Sequence, residues 1–415
     1  MIIIHAVNDY PILPRILTGP LTSLSRSMPV VVVTGARQTG KSTLVRELAP
    51  GDERPYLTLD RIEVLAQARD EPDQLVRRGE RIILDEVQRA PELLLAVKRA
   101  VDEERRPGRF ILTGSANLLL MRKVSESLAG RAAYLTLWPL TRRERLGQGR
   151  PGLWSELFDA ADEDWPEVLL AEDPVREDWR SVARRGGYPT PAYELDDEEA
   201  RRAWFGGYAR TYLERDLQEL SAVGALIDFR RLMGAACLRL GQLVNQTELG
   251  RDVGLPQPTV HRYLNLLETS YQLVRLPPYA VNRTKRLIKT PKLYWADTGL
   301  ALFLAGEEAP RGPHLENLVL SDLLAWRDAQ IDPPTLLYWR TAAGEEVDLV
   351  IEWRCRLLPI EVKGASAVRP ADARNLRTFR REYADRSRAA LLLYDGDEVF
   401  WLTDGVLAAP WWRVL

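Results

Sequence analysis

The sequence predicts a multidomain protein of the α/β class on three observations. The chain has 415 residues, 46% of them hydrophobic, so it is too long for one ordinary domain and apolar enough to bury several cores. Over residues 28–138, short apolar runs alternate with helical patterns, as in a parallel sheet with helical crossovers. Helix and strand patterns alternate again over residues 314–395. We expect about two to four domains.

Charge and cysteine content exclude several classes of protein. The chain has 57 basic and 59 acidic residues, a formal net charge of -2, so no global field points to nucleic acid or membrane, and any basic surface must be local. The two cysteines, Cys237 and Cys355, lie far apart, which argues against a disulfide scaffold or a cysteine zinc site. No segment approaches the ~20 apolar residues of a membrane span. We expect a cytoplasmic protein without a membrane partner.

The first chemical signature is "GARQTGKS" at residues 35–42, which fits G-x-x-x-x-G-K-[ST] between a β-branched run and a helical pattern. Gly35 and Gly40 let the backbone curl so that successive N–H groups face phosphates. Lys41 can reach the β and γ oxygens, and the Ser42 hydroxyl can ligate Mg²⁺. The residues expected to contact ATP are Gly35, Ala36, Arg37, Gln38, Thr39, Gly40, Lys41, Ser42 and Thr43.

Three further stretches supply the remaining parts of an ATP-hydrolysing site. "RIILDEVQR" at 81–89 is a strand ending in two carboxylates, so Asp85 would complete the magnesium shell and Glu86 would be the base for the attacking water. "RFILTGSAN" at 109–117 ends in polar residues, of which either Ser115 or Asn117 could sense the γ-phosphate. "SLAGRAAYL" presents Arg131 as a candidate arginine finger acting on a neighbouring subunit.

These stretches resemble one family over most of the chain. "GARQTGKSTL", "LDEVQRAPELL", "FILTGSANLLL" and "SLAGRAAYLTLWPLT" are similar to prokaryotic AAA-type P-loop ATPases whose C-terminal module has a restriction-endonuclease-like fold. "GGYPT", "YLERDL", "KTPKLYWADTGL", "LENLV", "EEVDLVIE" and "PIEVK" continue the similarity in the same order. The resemblance implies ATP and Mg²⁺ as cofactors and a homo-oligomer, with a hexameric ring as the expectation from the family.

The predicted domain order follows from these assignments. Residues 1–145 form the ATPase domain, and residues 146–225 form a helical lid or insert, since 145–180 are acidic and poor in periodicity. Residues 226–283 form a winged helix-turn-helix, because 245–279 offer a short helix, a Gly-Leu-Pro turn, an amphipathic helix and an extended apolar piece. Residues 284–415 form an endonuclease-like α/β domain.

Two segments are candidates for contact with DNA, branched forms included. The second helix of the winged unit would bury Val260, Tyr263, Leu264 and Leu267 and expose the opposite face, although such helices also serve as lids or protein contacts. The stretch "RTKRLIKTPK" at 283–292 is densely basic and suits a phosphate backbone. The candidate DNA contacts are Gln257, Thr259, His261, Arg262, Lys285, Arg286 and Lys289.

The C-terminal domain carries a nuclease-like pattern, "EVD" at 346–348 and "IEVK" at 360–363. Alternation along a strand puts Glu361 and Lys363 on one face, where Asp348 of the neighbouring strand can meet them. Asp348 and Glu361 could coordinate Mg²⁺ while Lys363 stabilises the attacking hydroxide or the developing charge. Glu316, at the start of the preceding helix, resembles the acidic residue that completes such sites. The alternative is a fold retained as a scaffold without cleavage.

Two functions remain open on the sequence. The first is an ATP-hydrolysing, oligomeric, DNA-associated motor or remodelling ATPase with a nuclease-like C-terminal domain. The second is a nucleotide-dependent switch whose winged-helix and C-terminal modules bind protein or DNA without cleavage. Glu86 favours hydrolysis, because a pure binding switch needs no water-activating carboxylate.

Overall fold

The computed structural model describes residues 6–7, 10–47, 54–114, 128–213, 226–282, 286 and 289–415. The predicted site residues Ser115, Asn117 and Lys285 lie outside these ranges. Within these ranges, no helix combines the length and apolar character that a membrane crossing requires.

The N-terminal part is built on a five-stranded parallel sheet in the order β4-β5-β6-β3-β7, preceded by a small hairpin. The parallel sheet predicted for residues 28–138 is thereby confirmed. Its elements are β1 (Ala6–Val7), β2 (Tyr10–Pro11), α1 (Thr18–Ser25), β3 (Val30–Thr34), α2 (Lys41–Glu47), β4 (Tyr56–Thr58), α3 (Ile62–Asp70), α4 (Pro72–Leu75), β5 (Ile82–Asp85), α5 (Leu93–Glu103), β6 (Phe110–Thr113) and β7 (Ala132–Thr136).

Strand β3 is buried on both faces, as central strands of covered parallel sheets are. Val30 and Val32 belong to one apolar cluster, while Val31 and Val33 belong to another on the opposite side of the sheet. This alternation explains the unbroken run of valines. Because both faces of β3 are covered, the chain must turn after Thr34, at the carboxyl end of the strand, between two packed layers.

The middle part is mainly helical and ends in an antiparallel strand pair, β8 with β9. Its elements are α6 (Arg142–Arg145), α7 (Trp154–Asp159), α8 (Trp165–Leu170), α9 (Trp179–Arg185), α10 (Glu198–Tyr208), α11 (Leu226–Cys237), α12 (Gln246–Val253), α13 (Gln257–Thr269), β8 (Leu273–Leu276), β9 (Lys292–Trp295) and α14 (Thr298–Ala305). Single π-helical turns at Thr190–Glu194 and Ala209–Leu213 flank α10.

The segment from α12 to β8 has the expected order of helix, turn, helix and strand. The Asn245 side chain accepts hydrogen bonds from the N–H groups of Thr247 and Glu248 and so caps α12. Helix α13 buries Val260, Tyr263, Leu264 and Leu267, the four residues expected to face inward. The partner strand β9 lies beyond residue 283, where the sequence places the end of this unit.

The C-terminal part is a mixed six-stranded sheet in the order β10-β11-β12-β13-β15-β14. The predicted sequence of helix, three strands, helix and strand is present, and two strands and a short helix follow it. Its elements are α15 (Gly312–Asp328), β10 (Thr335–Arg340), β11 (Glu346–Trp353), β12 (Arg356–Lys363), α16 (Arg374–Glu382), β13 (Ala390–Tyr394), β14 (Phe400–Thr403), β15 (Val406–Pro410) and α17 (Trp411–Val414).

The acidic insert after residue 145 is part of the main core rather than a loose connection. Trp154, Trp165 and Trp179 from the insert share one apolar cluster with Trp326 and Trp411 from the C-terminal part. Polar contacts reinforce the packing. The guanidinium of Arg388 donates to the carbonyl oxygen of Phe158 at 2.7 Å and forms an ion pair with Asp162. Arg142 donates to the carbonyl oxygen of Leu415 at 2.8 Å.

Asn317 on α15 provides a test of how the middle and C-terminal parts are joined. Its fully buried side chain accepts from the N–H of Trp295 at 2.8 Å and donates to the Trp295 carbonyl at 2.8 Å. Asn317→Ala should leave both backbone groups of β9 unsatisfied, at a cost of about 1–3 kcal/mol for each. We expect a thermal unfolding midpoint lowered by several degrees, measured by differential scanning fluorimetry. The exposed control Glu199→Ala should leave the midpoint nearly unchanged.

Candidate functional site

The phosphate loop, residues 35–42, joins the buried strand β3 to helix α2. Gly35, Gln38 and Gly40 have positive φ angles of 144°, 63° and 91°. A Cβ atom at Gly35 would collide with the carbonyl oxygen of Leu137, so only glycine fits there. Backbone turns of this kind form concave nests in which successive N–H groups can bind an anion.

Lys41 lies buried against this loop. Its ammonium donates to the carbonyl oxygen of Ala36 at 2.7 Å and to that of Gly35 at 3.3 Å. The hydroxyl of Thr39 also donates to the Ala36 carbonyl, at 3.0 Å. The loop backbone therefore holds a positive charge at the base of the turn, as phosphate binding requires.

Asp85, at the end of β5, is a buried carboxylate that accepts hydrogen bonds from three hydroxyl groups. Ser42 Oγ lies 3.0 Å from Oδ1 and 3.1 Å from Oδ2. The Tyr56 hydroxyl donates to Oδ2 at 2.5 Å, and the Thr113 hydroxyl donates to Oδ1. Burial and the neighbouring Asp85 raise the pKa of Tyr56, so its phenol stays neutral and remains a donor.

Sequence reasoning misses Tyr56 and Thr113. Thr113 ends β6, the strand next to β5, so a search of all strand ends in the parallel sheet would have included it. Tyr56 begins β4, and no local pattern marks it. Its ring is long enough to bring a hydroxyl from the start of one strand to the end of the next.

Glu86 follows β5 directly and has a left-handed φ of 57°. Its N–H donates to Thr113 Oγ1 at 3.4 Å, and its carboxylate accepts from the side-chain amide of Gln88. Burial raises the pKa of Glu86, and although Lys41 lowers it in part, the net direction is upward. A carboxyl group with a raised pKa beside a phosphate loop can accept a proton.

The residues at this site fit ATP with Mg²⁺. The loop has the backbone path of an anion nest, with Lys41 at its base. The Ser42 hydroxyl and the Asp85 carboxylate are hard oxygen donors that lie within 3.1 Å of each other. Magnesium takes ligands of this type while keeping positions for phosphate oxygens and water.

The phosphate loop is also held from outside its own sheet. The buried guanidinium of Arg15 donates to the carbonyl oxygens of Thr39 at 2.7 Å and Trp138 at 2.8 Å. Arg15 Nε forms an ion pair with Glu144 at 3.0 Å, and the two side chains are 6% and 2% exposed. The loop is thus fixed by residues before β3 and after β7.

A second set of contacts comes from the middle part, through what we call the tyrosine network: Tyr188, Tyr208, Tyr271 and Gln272. The Tyr271 hydroxyl lies 2.9 Å from Thr34 Oγ1, at the end of β3. The Tyr208 hydroxyl donates to the carbonyl oxygen of Arg37 at 3.3 Å, inside the phosphate loop. Tyr188 and Gln272 each lie within 3.1 Å of the Tyr208 hydroxyl. The end of α10 and the turn after α13 therefore contact the nucleotide site directly.

Arg131 lies at the amino edge of the sheet, opposite its own phosphate loop. Its carbonyl oxygen accepts from the N–H of Val30, the first residue of β3, whereas the loop follows the last. The guanidinium donates to Asp102 at 2.5 Å and is 29% exposed. Arg131 is therefore a surface residue that contacts α5.

The candidate DNA contacts on α13 form a polar face. Gln257, His261 and Arg262 are exposed, and Thr259 is half-buried. His261 Nδ1 and the side-chain amide of Gln257 both lie within hydrogen-bond distance of Gln246 Oε1, at 3.3 and 3.0 Å. This face carries one permanent cation, Arg262.

The stretch at 283–292 corrects the expectation of a continuous basic surface. Lys289 is exposed, but Arg286 is buried, with its guanidinium on the Glu352 carboxylate and the Ala280 carbonyl oxygen. Lys292 is also buried. Arg286 forms a buried ion pair with Glu352 and is therefore not an accessible DNA contact.

The four predicted residues of the C-terminal site come together. Strands β11 and β12 are antiparallel with Leu349 opposite Ile360, which sets Asp348 beside Glu361. Lys363 Nζ donates to Glu361 at 2.7 Å. Glu316, from α15, accepts from the Tyr294 hydroxyl at 3.1 Å. Burial, reinforced by the charge of Asp348, raises the pKa of both Glu316 and Glu361.

Lys292 is a member of this cluster that sequence reasoning placed on a DNA-binding surface. Its ammonium lies 2.5 Å from Glu346 and 3.5 Å from Asp348. Burial lowers the pKa of Lys292, but Asp348, Glu316 and Glu346 outweigh it and the net direction is upward. Among the residues that the structure describes, no three histidine, cysteine or carboxylate side chains are arranged to hold a metal ion. The carboxylates of the cluster form ion pairs with Lys292 and Lys363.

One family model matches the part of the chain that contains the nucleotide site. Residues 27–146 match the family model described as AAA domain. Residues 176–311 and 311–414 match two models described as Domain of unknown function, DUF8612 and DUF4143. A Walker-type ATPase of Pyrococcus abyssi aligns with 69% of this chain and 94% of its own, at 18% identity and a TM-score of 0.40.

Two relatives are similar over nearly the whole chain. Proteins of Mycobacterium tuberculosis and Mycobacterium bovis, both named "Uncharacterized protein", are each 34% identical over 393 residues. The alignment covers 92% of this chain and 80% of each relative. This chain therefore belongs to the family of these mycobacterial proteins, and its AAA domain makes it an ATPase-like member of the P-loop class.

Proposed function

We propose that this protein hydrolyses ATP with Mg²⁺ and couples the nucleotide cycle to DNA association through its middle and C-terminal parts. The observation that carries the hydrolytic part is the arrangement around Asp85. One buried carboxylate touches the hydroxyl of Ser42, and its chain neighbour Glu86 has a raised pKa. The residues proposed to bind phosphate, to bind magnesium and to activate water thus lie at the same edge of the sheet.

Each residue has a distinct role in this proposal. Lys41 binds the β and γ phosphates, and Ser42 and Asp85 hold the magnesium ion. Magnesium supplies charge neutralisation on the phosphate oxygens. Thr113 orients Asp85 through its hydroxyl. Glu86 accepts the proton of the attacking water.

Oligomerisation is supported by the place of Arg131. Strand β3 has five residues, so at ~3.3 Å per residue Arg131 lies roughly 15 Å from the loop of its own chain. An arginine finger at this position must act on a neighbouring subunit. A closed ring, such as a hexamer, would supply one finger for every nucleotide site.

A DNA role with a nuclease-like C-terminal domain is supported by two features. Helix α13 presents an exposed polar face with Gln257, His261 and Arg262. The cluster of Asp348, Glu361 and Lys363 has the residue types and the adjacent strands of phosphodiester-cleaving sites.

The tyrosine network favours a second candidate, a nucleotide-dependent switch. Tyr208 and Tyr271 contact the phosphate loop and the end of β3 from the middle part. A change at Arg37 or Thr34 on nucleotide binding would alter hydrogen bonds that lead straight to α10 and α13. In this candidate, the C-terminal cluster serves only to join β9 to β11.

Glu86→Gln should retain ATP binding but lower hydrolysis by about 10²–10⁴-fold, because the base is lost while the size of the side chain is kept. Phosphate release and equilibrium binding of a fluorescent ATP analogue measure the two properties. Since burial raises the pKa of Glu86, activity of the unchanged protein should fall on acidification at a pH above the usual glutamate range. The exposed control Glu92→Gln should behave as wild type. Full activity of the Glu86→Gln variant would show that a residue other than Glu86 is the base.

Arg131→Ala should abolish turnover and spare ATP binding, since a finger can contribute about 10³-fold or more in rate. Asp102→Ala is the matched control, because it breaks the same ion pair and keeps the guanidinium. We expect this control to hydrolyse ATP near the wild-type rate. Equal activity of both variants would contradict a trans-acting role for Arg131.

DNA coupling is tested by ATP hydrolysis with and without linear, single-stranded and branched DNA, with DNA integrity measured on the same samples. Stimulation by one DNA form supports a motor. Asp348→Asn keeps an acceptor for the Val362 N–H and should abolish cleavage without changing ATP hydrolysis. Unchanged hydrolysis with intact, unbound DNA would favour the switch.

A further inference from the structure

Helix α16 carries an arginine stripe on its outer face, formed by Arg374, Arg377 and Arg381. The three side chains are exposed, and no carboxylate among the described residues pairs with any of them. Positions separated by three and seven residues share one face of a helix. At 1.5 Å per residue the stripe extends about 10 Å along the helix axis.

The stripe borders a groove of about 630 Å³ that contains a fourth guanidinium, Arg380. Arg380 Nε donates to the Arg388 carbonyl and Nη1 to the Asp404 carbonyl, both at 3.1 Å. Its guanidinium packs so closely on Gly405, which has a φ of 66°, that a Cβ there would collide with it. The partners of Arg380 are neutral carbonyl groups, so its position is fixed while its charge is not cancelled by an ion pair.

The acids around the groove do not balance this charge. Asp404 lines it, and Glu345 lies at its side, where Glu345 Oε1 accepts from the Thr378 hydroxyl at 3.5 Å. Among the residues that line the groove, four are arginines and one, Asp404, is a carboxylate. Exposed arginines without an ion pair also occur elsewhere in the described part of the chain, but Arg374, Arg377 and Arg381 lie together on one helix face beside Arg380.

We propose that the arginine stripe and its groove bind the phosphodiester backbone of a nucleic acid. DNA carries one phosphate per 3.4 Å of each strand, so a stripe of about 10 Å can contact roughly three phosphates. Guanidinium groups bind phosphate oxygens in a bidentate manner. The groove wall consists mainly of arginine, serine and threonine side chains with one alanine, and therefore lacks the apolar pocket that would anchor a protein segment.

The stripe begins beside the carboxylate–lysine cluster. Asn375, next to Arg374, donates its side-chain amide to the carbonyl oxygen of Glu346 at 2.9 Å. Glu346 and Asp348 lie on the same strand, β11. The phosphodiester backbone of a nucleic acid bound along α16 would extend towards Asp348 and Lys363. This inference rests on the proposed DNA association and names the surface that provides it.

The test uses the full-length triple variant R374Q/R377Q/R381Q. Binding to a labelled duplex of about 30 base pairs is measured by fluorescence anisotropy between about 50 and 200 mM salt. Losing three phosphate contacts should weaken binding by at least about tenfold and reduce the slope of log K against log salt by about 2.7. The variant R374K/R377K/R381K retains the charges and should keep most of this slope.

The matched control R26Q/R78Q/R356Q removes the same total charge from three exposed arginines that lie apart in the sequence and form no ion pair with the residues that the structure describes. It should bind as wild type. ATP hydrolysis and the unfolding midpoint should be unchanged in all three variants, because none of these residues contacts the nucleotide site.

Wild-type affinity and slope in the glutamine variant would overturn the assignment of this surface while leaving DNA association intact. Absence of binding by the unchanged protein to duplex and to single strands would overturn both. Binding of polyglutamate that depends on the three arginines, without nucleic-acid binding, would assign the groove to an acidic protein segment and overturn the proposal.

Discussion

The nucleotide site depends on the buried ion pair between Arg15 and Glu144. Glu144 accepts from the N–H of Ile16 at 2.7 Å and from the N–H of Thr141 at 2.9 Å, so both oxygens of this carboxylate accept hydrogen bonds. Arg15 then donates to Thr39 inside the phosphate loop. Losing one partner of such a buried pair costs about 3–5 kcal/mol, because the other charge is left uncompensated. The loop conformation is therefore set by segments more than a hundred residues apart.

The buried carboxylates of the C-terminal cluster are compensated by neighbouring lysine side chains. Lys292 and Lys363 lie among the carboxylates, and each forms an ion pair of 2.7 Å or less. Lys292 enters from β9, the strand that pairs with β8 after helix α13. One strand thus belongs both to the helix-turn-helix segment and to the charged cluster. Through Lys292, which lies 3.5 Å from Asp348, this strand connects the middle part to the C-terminal sheet.

Contacts between the middle part and the phosphate loop complete a continuous path. Tyr271 contacts Thr34, and the next residue, Gln272, belongs to the buried hydrogen-bond network around Tyr208. Buried polar networks have well-defined geometry, since each unsatisfied group is costly. The path from the nucleotide site to α13, and from α13 to the C-terminal cluster, is therefore built from specific hydrogen bonds and one strand pair.

The sequence by itself determined the elements and the local chemistry. The valine run and the glycine turn define β3 and the phosphate loop, and alternation along β12 places Glu361 beside Lys363, because these features depend on neighbouring residues alone. Only the tertiary structure decided which residues far apart in the sequence contact one another. It brought Tyr56 to Asp85 and buried Arg286 and Lys292 in ion pairs. It also placed Arg374, Arg377 and Arg381 on one face, where no carboxylate of the described ranges pairs with them. In an arginine-rich chain, whether a cation is neutralised depends on which carboxylate lies opposite it, and only the packing of the elements fixes that partner.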